Sequence, residues 1–231
     1  MKPHHKLAET TTPNGGRLTL HEHDGHYCIR LDGQDLMHSF TAASEVMLGE
    51  IAADRYSGQA KATVLISGLG LGFTLKAVLA KAGPNVSVKV AELMPEVVAW
   101  NREFMRSLNG ALLDEPRVEV LVENVVGVIA RASAATYDAI LLDIDNGPTA
   151  MVEKGNGRLY DRIGIERIAT ALKPGGKTAV WSAREDPAFE KRLIKAGFVV
   201  QALPAKLYAT AKRSTYMIYL GTKPVAAADK P

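Results

Sequence analysis

The chain has 231 residues, 47% of them apolar and 23% charged, with 28 Lys and Arg against 25 Asp and Glu for a net charge of +3. Such a balance excludes a disordered or densely basic chain and leaves a globular protein long enough to bury a sizeable core. One cysteine, Cys28, excludes an intrachain disulfide and any metal site built on several thiolates, and it suits a reducing compartment.

The N-terminus, M1-K-P-H-H-K-L-A-E-T, lacks the apolar core of a signal peptide, and no run reaches the ~18 apolar residues of a membrane span. The expectation is a cytoplasmic protein with no membrane partner; His4 and His5 read as solvated. Residues 17 to 37 alternate apolar and polar side chains around the turn dipeptides D24-G25 and D32-G33, which predicts a small antiparallel meander within residues 1–40. T41-A-A-S-E-V-M-L-G-E-I-A-A-D-R has helical spacing and predicts a linking helix in 41–62.

From residue 63 the pattern changes to short apolar runs at 63–67, 86–91, 117–122, 137–143 and 176–182, separated by helices near 73–82, 95–108, 125–133 and 159–172. Strands apolar on both faces and alternating with helices predict a mostly parallel sheet covered on each side. Pro174, Gly175 and Gly176 stop the helix before the fifth run, residues 186 to 203 add a helix and a strand, and S214-T-Y-M-I-Y-L-G adds a last, antiparallel strand. The fold class is thus α/β: a Rossmann-like sheet over 63–222 behind a small N-terminal β meander, with 223–231 as a disordered tail.

V64-L-I-S-G-L-G-L-G-F73 runs a buried strand into Gly68, Gly70 and Gly72, and an acidic residue, Glu92, ends the next strand 20 residues after Gly72. Bare backbone at a strand-to-helix turn lets a ligand approach, and a carboxylate at that spacing can accept both ribose hydroxyls. The bulky Phe73, where a dinucleotide fingerprint wants glycine, favours an S-adenosyl sulfonium cofactor over a pyrophosphate-bearing one. Asn124 follows the third strand, where it either accepts from an adenine amino group or caps the next helix.

The fourth strand ends in Y137-D-A-I-L-L-D-I-D-N-G-P, which sends Asp143, Asp145 and Asn146 toward the glycine loop, since ligands in such sheets bind outside the carboxyl ends of the strands. A carboxylate there can take the proton of an alkylammonium and free its lone pair to attack carbon beside sulfur. The competing reading makes N146-G-P a turn capped by Asp145.

Taken in order, the meander ending in L31-D-G, the helix with S44-E45, the glycine loop, V90-A-E-L-M-P-E-V-V, D114-E-P-R-V-E-V, the acidic loop, L159-Y and A171-L-K-P-G-G resemble the spermidine synthase (polyamine aminopropyltransferase) family over roughly residues 17 to 183. The resemblance implies a methyltransferase-like fold, decarboxylated S-adenosylmethionine as donor, a small-molecule amine (a polyamine) as acceptor, and a homodimer. By the same resemblance Glu92 is the ribose binder, Asn124 stands where the family has an adenine-binding Asp, and Asp143 is the catalytic aspartate. Asp145 beside it is a second catalytic candidate, Glu45 and Asn146 are candidate acceptor contacts, and Tyr160, which follows the acidic loop, either closes over the acceptor or begins a core helix with Leu159. Departures from the family pattern are Leu71 in place of a glycine-loop Asp, D143-I-D-N-G-P in place of D-S-S-D-P, and A43-S-E45 in place of Tyr-His-Glu. Leucine at 71 suits ordinary S-adenosylmethionine, and so a methyltransferase, at least as well. A binding module without chemistry is the other alternative.

His21, His23 and His26 lack a further ligand for zinc, so no metal is expected. Trp100 reads as packing, while Trp181 and Ser182 end the fifth strand where they can line a pocket. K206-L-Y-A-T-A-K-R213 has neither aromatic platforms nor a dense basic face, so no nucleic-acid partner is expected.

Overall fold

The computed structural model describes residues 5–144 and 154–225. The chain opens with β1 (His5–Thr11), β2 (Arg17–His23), β3 (His26–Leu31) and β4 (Gln34–His38), paired antiparallel in that order. Asp24 and Gly25, and again Asp32 and Gly33, all take positive φ, the backbone of two-residue hairpin turns whose twist matches the strands they join. Strand β1 lies within the residues 1–40 expected for the meander but upstream of the alternating residues 17–37. Its sequence is mostly polar and it forms an edge, so no buried alternation announced it.

Helix α1 (Ala43–Ala53) then leads into β5 (Ala62–Ser67), α2 (Phe73–Lys81), β6 (Val86–Glu92), α3 (Pro95–Glu103) and α4 (Arg106–Asn109). There follow β7 (Val118–Val122), α5 (Val125–Arg131), β8 (Tyr137–Leu142), α6 (Arg162–Ala171), β9 (Leu172–Ser182), α7 (Pro187–Lys195), β10 (Val199–Lys206) and β11 (Ser214–Thr222). The seven-stranded sheet has the order β10-β11-β9-β8-β5-β6-β7. Strands β9, β8, β5, β6 and β7 run parallel, and β11 pairs antiparallel with both β9 and β10.

The predicted helix 95–108 divides, because the chain turns at Phe104 and Met105 and tucks the Met105 side chain fully into the core. Helix α6 stops ahead of Pro174, Gly175 and Gly176 as expected, and these three residues are themselves part of β9. Of the tail expected at 223–231, residues 226–231 fall outside the described residues.

The strands alternate between two cores, as strands covered on both faces must. Val64, Ile66, Ala139 and Leu141 pack with α1, α2, α3 and the N-terminal sheet. Leu65, Ile140 and Leu142 pack with α5, α6 and α7. The N-terminal sheet therefore shares the first core instead of forming its own, with Leu18, Leu20 and Ile29 buried against the larger domain. Helix α1 crosses α2 closely: a Cβ at Gly49 would lie 2.6 Å from the Thr74 carbonyl oxygen. That approach sets Glu45, one turn earlier on α1, beside the first turn of α2. No helix among the described residues is long and apolar enough to cross a membrane.

Candidate active site

A cavity of about 380 Å³ opens at the carboxyl ends of β5, β6 and β8, roofed by residues 35–37 of β4 and by Thr41 and Glu45. Gly68, Gly70, Gly72, Glu92, Asn124, Asp143 and Glu45 all line it, so residues far apart in sequence converge on one space. Trp181 lines it too and packs on Tyr216 with the rings 4.8 Å apart, whereas Trp100 is buried in the core. Asp145 and Asn146 lie outside the described residues. Tyr160 is not brought to the cavity: it is buried edge-on against Phe189 at 5.7 Å, and its carbonyl accepts from Arg192 at 3.0 Å. Nearness in sequence to the acidic loop suggested the acceptor side, but an aromatic ring just ahead of α6 gains more by filling the core between α6 and α7.

Glu92 is buried, and burial raises its carboxyl above the usual range against the pull of backbone donors. Its Oε2 accepts from Leu69 N at 2.8 Å and its Oε1 from Met94 N at 2.9 Å, so the carboxylate braces the glycine loop as well as facing the cavity. Asn124 Oδ1 accepts from Val126 N at 2.8 Å, capping α5. A carbonyl oxygen has a second lone pair, so the cap and a ligand contact are compatible.

The loop is held from behind as well. Asn101 Nδ2 donates to the Gly70 carbonyl at 2.8 Å, and Asn109 Nδ2 donates to the Leu71 carbonyl at 2.6 Å and to Asn101 Oδ1 at 2.8 Å. Leu71 itself is buried in the core. Neither asparagine was legible beforehand, since an Asn within a helical pattern carries no signal of what its amide will meet across such a span of chain.

Gly68 has φ +87, and a Cβ there would collide with the Asp143 carbonyl oxygen. Asp143 N donates to Ser67 O at 3.1 Å, which fixes the two strand ends at that separation. Gly68→Ala is therefore expected to cost about 1–3 kcal/mol through left-handed strain and backbone collision together. Thermal melts read the loss, and a melting temperature equal to wild type shows that the loop yields without strain.

Asp143 lies half-buried beneath the loop, where it lines the cavity. Burial, then the nearby negative Glu45, push its carboxyl up to about 7, opposed by a hydrogen bond from the Thr74 hydroxyl to Oδ2. Glu45 is raised in turn by burial, against a 2.5 Å hydrogen bond from Ser44 Oγ. Tyr216 is raised by burial and by the Glu45 charge, which puts its ring on the same side of the cavity. Thr74 went unnoticed in the sequence. Its signal was position, a hydroxyl in the first turn of the helix that the glycine loop opens.

At the rim, Asp35 pairs with Arg30 at 2.7 Å and Glu123 with Arg131, while Glu45, Glu92 and Asp143 meet no cationic side chain among the described lining residues. Those residues include five carboxylates and no Lys, Arg or His. No group of three or more metal-ligating side chains occurs among the described residues.

A doubly covered sheet of this order, with a glycine loop after its central strand, an acid ending the next strand and a cavity across the strand ends, defines the methyltransferase-like α/β class. Within that class the chain is similar both to polyamine aminopropyltransferases and to putrescine N-methyltransferases. The chain is 32% identical over 120 residues, 51% of its length, to the polyamine aminopropyltransferase of Mycobacterium tuberculosis, a match spanning 22% of that protein. It is 34% identical over 116 residues, 49% of its length, to putrescine N-methyltransferase 1 of Nicotiana tabacum, spanning 28% of that protein. A solved spermidine synthase in complex with the transition-state analogue AdoDATO superposes with a TM-score of 0.71 at 19% identity, covering 95% of this chain and 73% of that one. No protein-family model matches. About half of the chain is thus similar in sequence to polyamine aminopropyltransferases, and its fold is methyltransferase-like behind a separate four-stranded N-terminal sheet, in line with the resemblance carried by its sequence motifs.

Proposed function

We propose that this chain is an aminopropyltransferase, moving the aminopropyl group of decarboxylated S-adenosylmethionine to a polyamine acceptor. The observation that carries the reading is the charge of the cavity: carboxylates line it with no cationic side chain among the described residues. Ammonium and sulfonium groups are stabilised there, whereas a carboxylate-bearing ligand finds no cationic side chain among the described lining residues. In this reading Glu92 accepts the ribose hydroxyls on the lone pairs its backbone donors leave open, Asn124 meets the adenine, and the loop of Gly68, Gly70 and Gly72 makes room for the sulfonium side.

Asp143 takes a proton from the acceptor ammonium. The freed nitrogen lone pair forms the new C–N bond as the C–S bond breaks, the bonding pair staying on sulfur to give neutral methylthioadenosine. An ordinary carboxyl, near 3.9, lies about 6 pH units below an alkylammonium near 10.4. A carboxyl at about 7 halves that gap, which is the match a general base requires.

Methyl transfer from S-adenosylmethionine to an amine is the second reading. It is favoured by the apolar, buried Leu71 and by the likeness to a putrescine N-methyltransferase. Calorimetric titration separates the two. Tighter binding of the decarboxylated donor by roughly tenfold, followed by release of methylthioadenosine when a diamine is added, is the expected result. Preference for the carboxylated donor with S-adenosylhomocysteine as product establishes methyl transfer instead, and binding of neither donor overturns both.

A further inference from the structure

We propose that Thr74 is a positioning residue of this reaction, its hydroxyl holding one oxygen of Asp143 in both charge states while the other oxygen receives the acceptor's proton. The inference rests on the transfer reading above. Thr74 is the second residue of α2 and is 3% exposed. Its Oγ1 donates to Asp143 Oδ2 and lies 3.3 Å from the Glu45 main-chain oxygen. One side chain thus joins the three elements that build the deep end of the cavity: α1, α2 and the end of β8.

A threonine hydroxyl has one proton and two lone pairs. With Asp143 ionised, that proton points to Oδ2, a charge-assisted bond that favours the carboxylate. Once Asp143 has taken the proton of the amine on Oδ1, Oδ2 is the carbonyl oxygen of a neutral carboxyl and still accepts from the Thr74 hydroxyl, more weakly than the carboxylate did. The carboxyl keeps one partner at one position through the proton transfer, so no heavy atom must move as the charge changes. The charged and titratable groups facing this point are Glu45 from α1 and Tyr216 from β11, and no Lys, Arg or His lines the cavity among the described residues.

The test compares Thr74→Val, of the same shape without the hydroxyl, with Thr74→Ser, which retains it. The titration of Asp143 is followed in the full-length, ligand-free protein by its infrared carboxyl band, assigned by its absence in Asp143→Asn. Valine is expected to raise the Asp143 midpoint by about one pH unit and serine to leave it near wild type. In turnover, valine lowers kcat about tenfold with the donor KM unchanged, and serine restores it. Should the valine chain fail to fold, Thr74→Ala, which only deletes atoms, supplies the same comparison. An unmoved midpoint in the hydroxyl-free variant, an equal shift in the serine variant, or an undiminished kcat overturns the proposal while the wild type still turns over. A wild type inert with every donor and amine overturns the transfer reading itself, and with it any role for Thr74 in the reaction.

Discussion

Asp143→Asn is expected to lower kcat by about a thousandfold while leaving donor affinity within a few-fold of wild type. Asparagine has nearly the same shape and still accepts from Thr74, but it cannot take a proton, and a positioned general base contributes roughly 10² to 10⁴ in rate. Steady-state kinetics with calorimetry read both quantities. Unchanged turnover shows that another group, or solvent, removes the amine proton.

The same substitution has a second signature in stability. Asp143 in the folded state lies at about 7, above the ordinary carboxyl value near 3.9, so the native protein keeps a proton that the unfolded chain has already lost. The stability this contributes is present below the unfolded value and disappears as pH rises through the folded one. Wild type should therefore weaken between about pH 4 and pH 7, and the asparagine variant should weaken less, being the more stable of the two at pH 8 by on the order of a few kcal/mol. Melts at pH 5 and pH 8 check the crossing. Parallel pH dependences in the two proteins would mean that Asp143 ionises without penalty.

Glu45→Gln is the other large effect. Its negative charge is the second cause, after burial, of the raised Asp143 carboxyl, so removing it lets Asp143 ionise at lower pH. For wild type, kcat/KM should climb with pH through about 7, because only the ionised base accepts a proton. In the glutamine variant that acid limb is expected to move down by about one pH unit, while the acceptor KM at pH 8 rises about tenfold for want of a counter-charge. A limb that stays in place shows that the two carboxylates do not act on one another, whatever happens to KM.

Much of the fold was legible because its strands are buried on both faces. Val64, Leu65 and Ile66 have to be apolar in succession when one side meets α2 and the other meets α5 to α7, and such a run is visible in the residues alone. The glycine loop and Glu92 were visible for a related reason: a strand-to-helix turn that approaches a ligand admits no side chains, and its acid comes from the adjacent strand at fixed spacing. Strand β1 escaped notice because an exposed edge needs no alternation. The break between α3 and α4 escaped because the helical period continues across it in sequence while the chain turns in space.

By itself, then, the sequence determined the doubly covered sheet, its strand directions, the glycine-lined approach and the carboxylates at the strand ends, all consequences of local period and chain connectivity. Tertiary structure alone decided what surrounds those carboxylates. Gly49 lets α1 come against α2, which carries Glu45 within reach of Asp143. The same approach makes Thr74 their common partner, although 29 positions of chain separate it from Glu45 and 69 from Asp143. A side chain's proton affinity depends on burial and on charges a few ångströms away, and neither quantity is written in the spacing of residues along the chain.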